Sequence, residues 1–329
     1  MPHVLVAGKI HEAGVARLRA APGVTFDLVD EVSTASYAPL VDKADAILIR
    51  TQPMPADVIQ KAGRLKIVSR HGVGYDAVDV EALNRRHIPL AIVGDVNSRP
   101  VAEHTMMMIL SFAKRTAAYD AATRNGVWSY RNSYEATELA GKTLLLLGFG
   151  RIGRIVARMA TAFEMVVQAH DPYKSEAEIL KGGAEPAPDL AVALAAADYI
   201  SVHAPLAGGS ALLGRAELDK LKPTAVVINT ARGGLIDERV LAEALETGRI
   251  AGAALDVFVD EPPPTDHPLL RSARTVLSPH SAGLTEECAA RMSTASVQNI
   301  LDFFANRIDP SVVVNSDHVP HLASARRDP

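Results

Sequence analysis

Leu144-Leu145-Leu146-Leu147-Gly148-Phe149-Gly150-Arg151-Ile152-Gly153 is the stretch on which the reading of this chain turns. Four leucines in a row read as a strand buried on both faces of a parallel sheet. The glycines behind them permit a tight turn, a close approach of backbone to a pyrophosphate, and close packing of a helix on the strand. Ile155, Val156, Met159 and Ala160 then recur at helical spacing. The pattern is strand, glycine loop, helix, and an anion would sit on the unsatisfied amides where the helix begins. Asp171 follows Gly153 by 18 residues, at the end of the next apolar run. That is close to the roughly 20-residue offset at which an acid accepts hydrogen bonds from an adenosine ribose. A carboxylate there repels a 2′-phosphate, so NAD is expected in preference to NADP. The plainer use of Asp171 is to cap its own turn with Pro172.

Similar short apolar runs flank this unit, at residues 4–7, 46–49, 66–69, 165–169, 199–202, 225–228, 251–255 and 275–277. Helical spacing fills the intervals. Over residues 237–247, Val240, Leu241, Ala244 and Leu245 recur three or four apart, and Gly248 supplies a stop. The class is therefore α/β, with parallel sheets joined by crossover helices. Asn97-Ser98-Arg99-Pro100 breaks the pattern, and the spacing beyond it predicts one long helix over 101–122. A second long helix is expected from 285 to about 306, followed by a strand at 311–314. Two Rossmann-like lobes result. A discontinuous substrate domain (1–98 and 286–329) would receive an inserted NAD-binding domain (99–285), with ligands in the cleft between them.

Composition bounds the partners. A chain of 329 residues suits two domains of roughly 150 residues each. Apolar residues at 48% and charged residues at 22% are the balance of a globular protein rather than a disordered one. Lys and Arg total 34 against 38 Asp and Glu, so the basic excess that phosphate-backbone binding uses is missing, and no nucleic acid is expected. No apolar run approaches the ~18 residues of a membrane helix. Lys9, Glu12 and Arg17 interrupt the amino terminus too early for a signal peptide. Cys288, the single cysteine, can form no internal disulfide, which fits a reducing compartment; a cytoplasmic location is expected. The remaining histidines, His318 and His321 included, lack partners at metal-ligand spacing, so no metal is expected.

Three residues that carry chemistry follow apolar runs. Arg232 lies in Asn229-Thr230-Ala231-Arg232-Gly233-Gly234, Glu261 follows Asp256-Val257-Phe258-Val259-Asp260, and His280 follows Ser278-Pro279. In an open parallel sheet the carboxyl ends of strands face the ligand crevice, so these side chains could converge. Singly, each has a plainer reading: a solvated loop Glu, an Arg bonded to carbonyls, a turn His.

Together with the glycine loop, these motifs resemble the NAD-dependent D-2-hydroxyacid dehydrogenase family, in its phosphoglycerate dehydrogenase and hydroxypyruvate reductase branch. Arg70-His71-Gly72-Val73-Gly74-Tyr75-Asp76 is similar to the family's substrate loop, although Ala77 stands where the family commonly has Asn. Pro100-Val101-Ala102-Glu103-His104-Thr105 resembles the start of its interdomain helix. The resemblance implies that His280 exchanges a proton with the substrate oxygen while a hydride moves between NADH and the carbon of a small 2-keto acid. It implies that Glu261 orients and charges the imidazole, and that Arg232 pairs with the substrate carboxylate and polarises the carbonyl. Gly148, Gly150, Arg151, Ile152 and Gly153 would cradle the pyrophosphate and Asp171 would hold the ribose. His203 and Pro205 would wall the cofactor, and Thr230, Ala231, Asp256, His280 and Gly283 would line its nicotinamide end. Val73 and Gly74 would offer amides to the substrate carboxylate, and Arg50 and Arg70 would face a distal phosphate, if they are not ordinary surface arginines.

The family also implies a homodimer, with the helix from Val101 and the segment holding Val127, Trp128, Tyr130 and Tyr134 at the interface. The sequence ends at residue 329 without the regulatory extension of longer phosphoglycerate dehydrogenases, and serine feedback through such a domain is not expected. An alternative is a non-enzymatic NADH-sensing corepressor or scaffold of the same fold. Formate oxidation fits less well, because that branch carries Gln in the place of Glu261.

Overall fold

The computed structural model describes residues 1–206 and 211–323. The end of the expected substrate domain, 324–329, and the side chain of His321 lie outside the described residues. The chain divides into two compact units, Met1–Asn97 with Leu284–Pro329, and Ser98–Gly283.

In the first unit β1 (His3–Ala7), β2 (Thr25–Val29), β3 (Ala46–Ile49), β4 (Ile67–Arg70) and β5 (Leu90–Ala91) form a parallel sheet in the order β2-β1-β3-β4-β5. Alternate residues enter opposite cores. Leu5, Ala7, Ile47 and Ile49 pack on one face, and Val4, Val6, Ala46 and Leu48 on the other with Val297 and Ile300 of the helix Glu286–Phe304. The order places a reversal between β1 and β3, where open α/β sheets bind ligands at their carboxyl ends.

In the second unit β6 (Thr143–Leu147), β7 (Val166–His170), β8 (Glu185–Pro186), β9 (Tyr199–Val202), β10 (Val226–Asn229), β11 (Gly252–Leu255) and β12 (Thr275–Leu277) run parallel in the order β12-β11-β10-β9-β6-β7-β8. The four leucines of β6 divide between the two cores, Leu145 and Leu147 against one and Leu144 and Leu146 against the other. This is why the run carries no polar residue. The reversal falls between β6 and β9, directly at the glycine loop.

Two expectations are corrected. The helix expected over 101–122 is two helices, Ser98–Ala113 and Thr116–Arg124, separated by Arg115 in the left-handed region (φ 53°). Side chains fix the break: Lys114 Nζ donates to the Thr137 carbonyl at 2.8 Å, and Arg115 Nη2 meets Glu135 at 2.8 Å. The strand expected at 311–314 is a 3-10 turn, Pro310–Val312, with only Val313 bridged antiparallel to Ala91. Pro310 has no N–H for a ladder, and the Asp309 carboxylate takes the Ser311 N–H at 2.8 Å. Among the described residues no helix is long and apolar enough to cross a membrane.

Candidate active site

The loops that follow β10, β11 and β12 bring Arg232, Glu261 and His280 together. Gly233 makes this possible: a Cβ there would stand 1.9 Å from the Phe258 carbonyl oxygen, so only glycine lets the loop after β10 run against the loop after β11. Asn229, last in β10, secures its loop by donating from Nδ2 to the Arg232 carbonyl at 2.8 Å and accepting the Ala231 N–H at 3.0 Å.

His280 Nδ1 lies 2.6 Å from Glu261 Oε2. The other Glu261 oxygen accepts the Phe258 N–H at 3.1 Å, which fixes the carboxylate plane. Burial raises the Glu261 carboxyl, but the bond to His280, the His280 charge, the Phe258 N–H and the Arg232 charge together outweigh burial and hold it below the usual carboxylate range. An ionised Glu261 accepts the hydrogen bond of the Nδ1–H and leaves Nε2 as the nitrogen that can exchange a proton with a ligand. Beside the pair opens a cavity of about 420 Å³, walled largely by Phe258, Pro262, Leu270, Leu277 and Pro279.

His280 has φ 50°, uncommon for a residue with a side chain. Asp256, last before the loop after β11, holds it there. Its carbonyl accepts the His280 N–H at 2.7 Å, Oδ1 accepts from Ser278 Oγ at 2.5 Å and Ser281 N at 2.8 Å, and Oδ2 accepts from Ala282 N at 3.0 Å. The structure thus occupies Asp256 with the His280 loop. The Glu261 loop has its own support: Glu238 Oε1 accepts the Val259 N–H at 2.7 Å, and His267 Nε2 lies 3.2 Å from Glu238 Oε2. Spacing along the sequence links neither Glu238 nor His267 to the site, because their partners are distant in sequence. Gly283 lies in the turn just past the His280 loop.

The glycine loop is shaped for a phosphate-bearing ligand. A Cβ on Gly148 would stand 2.6 Å from the His203 carbonyl oxygen, and one on Gly153 would stand 2.5 Å from the Gly148 carbonyl oxygen, so both glycines serve the turn. A Cβ on Gly150 would meet nothing within 4 Å. Gly150 is also the N-cap of the helix Arg151–Ala162 and has no side chain to cap that first turn. Open space at the start of the helix fits a pyrophosphate. Asp171, at the end of β7, accepts the Phe149 N–H at 2.8 Å and the Tyr173 N–H at 2.9 Å, so it ties the glycine loop to its own turn. His203, after β9, bonds Ser201 at 2.9 Å, and burial pushes its imidazole down to about 4, so it is neutral at pH 7. Pro205 stands exposed two residues on. Thr230 Oγ1 lies 2.9 Å from Thr105 Oγ1 on the helix Ser98–Ala113.

In the first unit, Arg50 follows β3, Arg70 ends β4, and Val73 and Gly74 lie in the loop beyond. Arg50 donates to the Lys9 carbonyl at 3.0 Å and Arg70 to the His71 carbonyl at 2.5 Å. Among the described residues neither the Val73 nor the Gly74 N–H donates to a backbone carbonyl. His71 is buried on Ser293 Oγ at 2.9 Å; burial, then the charges of Arg50 and Arg70, push its imidazole down to about 3.

Comparison with known proteins places this geometry in a family. Residues 106–282 match the D-isomer specific 2-hydroxyacid dehydrogenase, NAD binding domain. The chain is 37% identical over 335 residues to a D-3-phosphoglycerate dehydrogenase of Mycobacterium bovis, covering 99% of this chain and 62% of that protein. It therefore spans about three fifths of that relative's length. It is 32% identical to a glyoxylate reductase of Korarchaeum cryptofilum, covering 95% of this chain and 96% of the relative. The structure of a D-lactate dehydrogenase from Aquifex aeolicus, complexed with NAD and lactic acid, superposes with a TM-score of 0.87 at 25% identity, covering 94% of this chain and 98% of that one. A glycine loop shaped for a nucleotide, a His–Glu pair beside an arginine, and relatives alike over nearly the whole of this chain lead to one conclusion: this chain belongs to the D-isomer specific 2-hydroxyacid dehydrogenase family.

Proposed function

We propose that the chain is an NAD-dependent D-2-hydroxyacid dehydrogenase acting on the CH–OH group of a small acid of the hydroxypyruvate, phosphohydroxypyruvate or glyoxylate type. The observation that carries this reading is the 2.6 Å contact of His280 Nδ1 with Glu261, in the field of Arg232. Bound NADH supplies the hydride in reduction, and NAD⁺ accepts it in the reverse direction. His280 gives the Nε2 proton to the carbonyl oxygen as the hydride reaches the carbon, and in oxidation it takes that proton back from the hydroxyl. Glu261 keeps the imidazole in one orientation and stabilises its protonated form. Arg232 pairs with the substrate carboxylate and polarises the carbonyl, for which a planar fork suits better than a point charge.

In the same reading the backbone amides of Arg151 and Ile152 take the pyrophosphate. Each Asp171 oxygen keeps a lone pair beyond its backbone bond, enough to accept from ribose hydroxyls and to disfavour a 2′-phosphate. Val73 and Gly74 receive the substrate carboxylate in the first unit, and Arg50 and Arg70 take a distal anionic group. A homodimer is part of the proposal: the helix Thr116–Arg124 and the 3-10 segment Trp128–Ser133 contain no buried residue, with Trp128 69% and Tyr134 85% exposed. A second copy would cover that surface. The single cysteine, Cys288, supports a cytoplasmic setting.

Incubation with NADH and each of hydroxypyruvate, phosphohydroxypyruvate, glyoxylate and pyruvate tests the reading, with products resolved by chiral chromatography. NADH-dependent formation of the D-hydroxy acid supports it. Tight NADH binding without product from any of the four would favour an NADH-sensing corepressor instead.

A further inference from the structure

The helix Ser98–Ala113 packs across β10, β11 and β12, and two adjacent residues on it reach the loops that follow those strands. Thr105 Oγ1 donates to the Val101 carbonyl at 2.9 Å, so its contact with Thr230 Oγ1 must be an acceptance. His104 Nε2 lies 2.9 Å from Ser278 Oγ. Ser278 has one hydroxyl proton, and Asp256 Oδ1 stands 2.5 Å away. Asp256 is 1% exposed and already receives two backbone N–H groups, from Ser281 and Ala282; as a carboxylate it can only accept. The serine proton therefore goes to Asp256, and the serine oxygen takes its own bond from the His104 Nε2–H. The direction of the chain is fixed: His104 donates to Ser278, and Ser278 donates to Asp256.

This relay ends on the loop that carries His280, where the Asp256 carbonyl accepts the His280 N–H and the Asp256 carboxylate accepts the N–H groups of Ser281 and Ala282 behind the left-handed His280. A buried carboxylate with three donors cannot rotate without abandoning one of them. We propose that His104, acting through Ser278 and Asp256, is a positioning residue for His280, locking the carboxylate in the rotamer that presents the imidazole to Glu261. The kinetic consequence rests on the dehydrogenase reading; the positioning itself does not.

His104→Leu removes the donor and keeps bulk, whereas His104→Gln keeps an N–H close to the Nε2 position. With NADH and hydroxypyruvate, the Leu variant should lose at least tenfold in kcat while the KM for NADH stays within twofold, and the Gln variant should recover most of the loss. In parallel, the rate at which diethyl pyrocarbonate modifies His280, read by peptide mass spectrometry, should rise severalfold in the Leu variant relative to His3 in the same sample. General loosening would raise both together. Ser278→Ala, which removes the middle of the chain, should reproduce both changes and serves if the Leu variant does not fold. Wild-type kcat with wild-type His280 modification in His104→Leu or in Ser278→Ala overturns the inference, as does a Gln variant no better than Leu. If the wild-type protein turns over none of the acids, the dehydrogenase reading falls, and the modification rates still decide the role of His104.

Discussion

At the scale of single residues, Glu261 and His280 define one unit of chemistry. Glu261→Gln keeps a hydrogen-bond acceptor for Nδ1 but removes the charge that steadies an imidazolium. It should lower kcat on the order of 10²-fold and leave the NADH dissociation constant, measured by fluorescence titration, unchanged. His71 yields a prediction about stability. Its folded pKa of about 3 lies well below the ordinary histidine value, so between those two points the unfolded chain binds the extra proton. Stability therefore rises with pH across that window, is complete above about pH 6.5, and is lost as pH falls. His71→Gln should flatten the difference between urea midpoints at pH 7 and pH 5, removing on the order of 1–2 kcal/mol of pH-dependent stability. The sequence offers Arg232, Glu261 and His280 as separate residues after separate strands. Their contact, and the His104–Ser278 bond between residues 174 positions apart, exist only once the parallel order of β10, β11 and β12 is known.

At the scale of elements, the glycine loop separates turn geometry from ligand space. Gly148 has φ +99° and lies against the His203 carbonyl, so Gly148→Ala strains the turn itself and should lower Tm by several degrees. Gly150 faces open space, so Gly150→Ala should fold normally and weaken NADH binding at least tenfold by filling the cradle. Calorimetry and fluorescence titration on the two proteins check the contrast. The central strands were legible because both faces are buried, as in β3 and β10, where every residue is inside. β2, β5 and β8 were not. β2 carries Thr25 and Asp27 and is mostly exposed at the sheet edge, while β5 and β8 have two residues each, too few for a period to show. The break at Arg115 escaped for a related reason: apolar spacing continues past it, and the groups that stop the helix, Thr137 and Glu135, come later in the chain.

At the scale of the whole molecule, the α/β class and the two parallel sheets follow from the alternation of apolar runs with helical stretches. Association does not, because it depends on which exposed residues a second copy covers. Sedimentation equilibrium at micromolar concentration should give about twice the 35.0 kDa of one chain, and Trp128→Glu should shift the population towards one chain. The most direct test of the account is the loss of NADH absorbance with hydroxypyruvate, phosphohydroxypyruvate, glyoxylate and pyruvate, run side by side on the wild-type and His280→Ala proteins. The account predicts turnover by the wild type on at least one acid and a loss of 10²-fold or more in the variant, with NADH binding retained. Equal rates in the two proteins would contradict it.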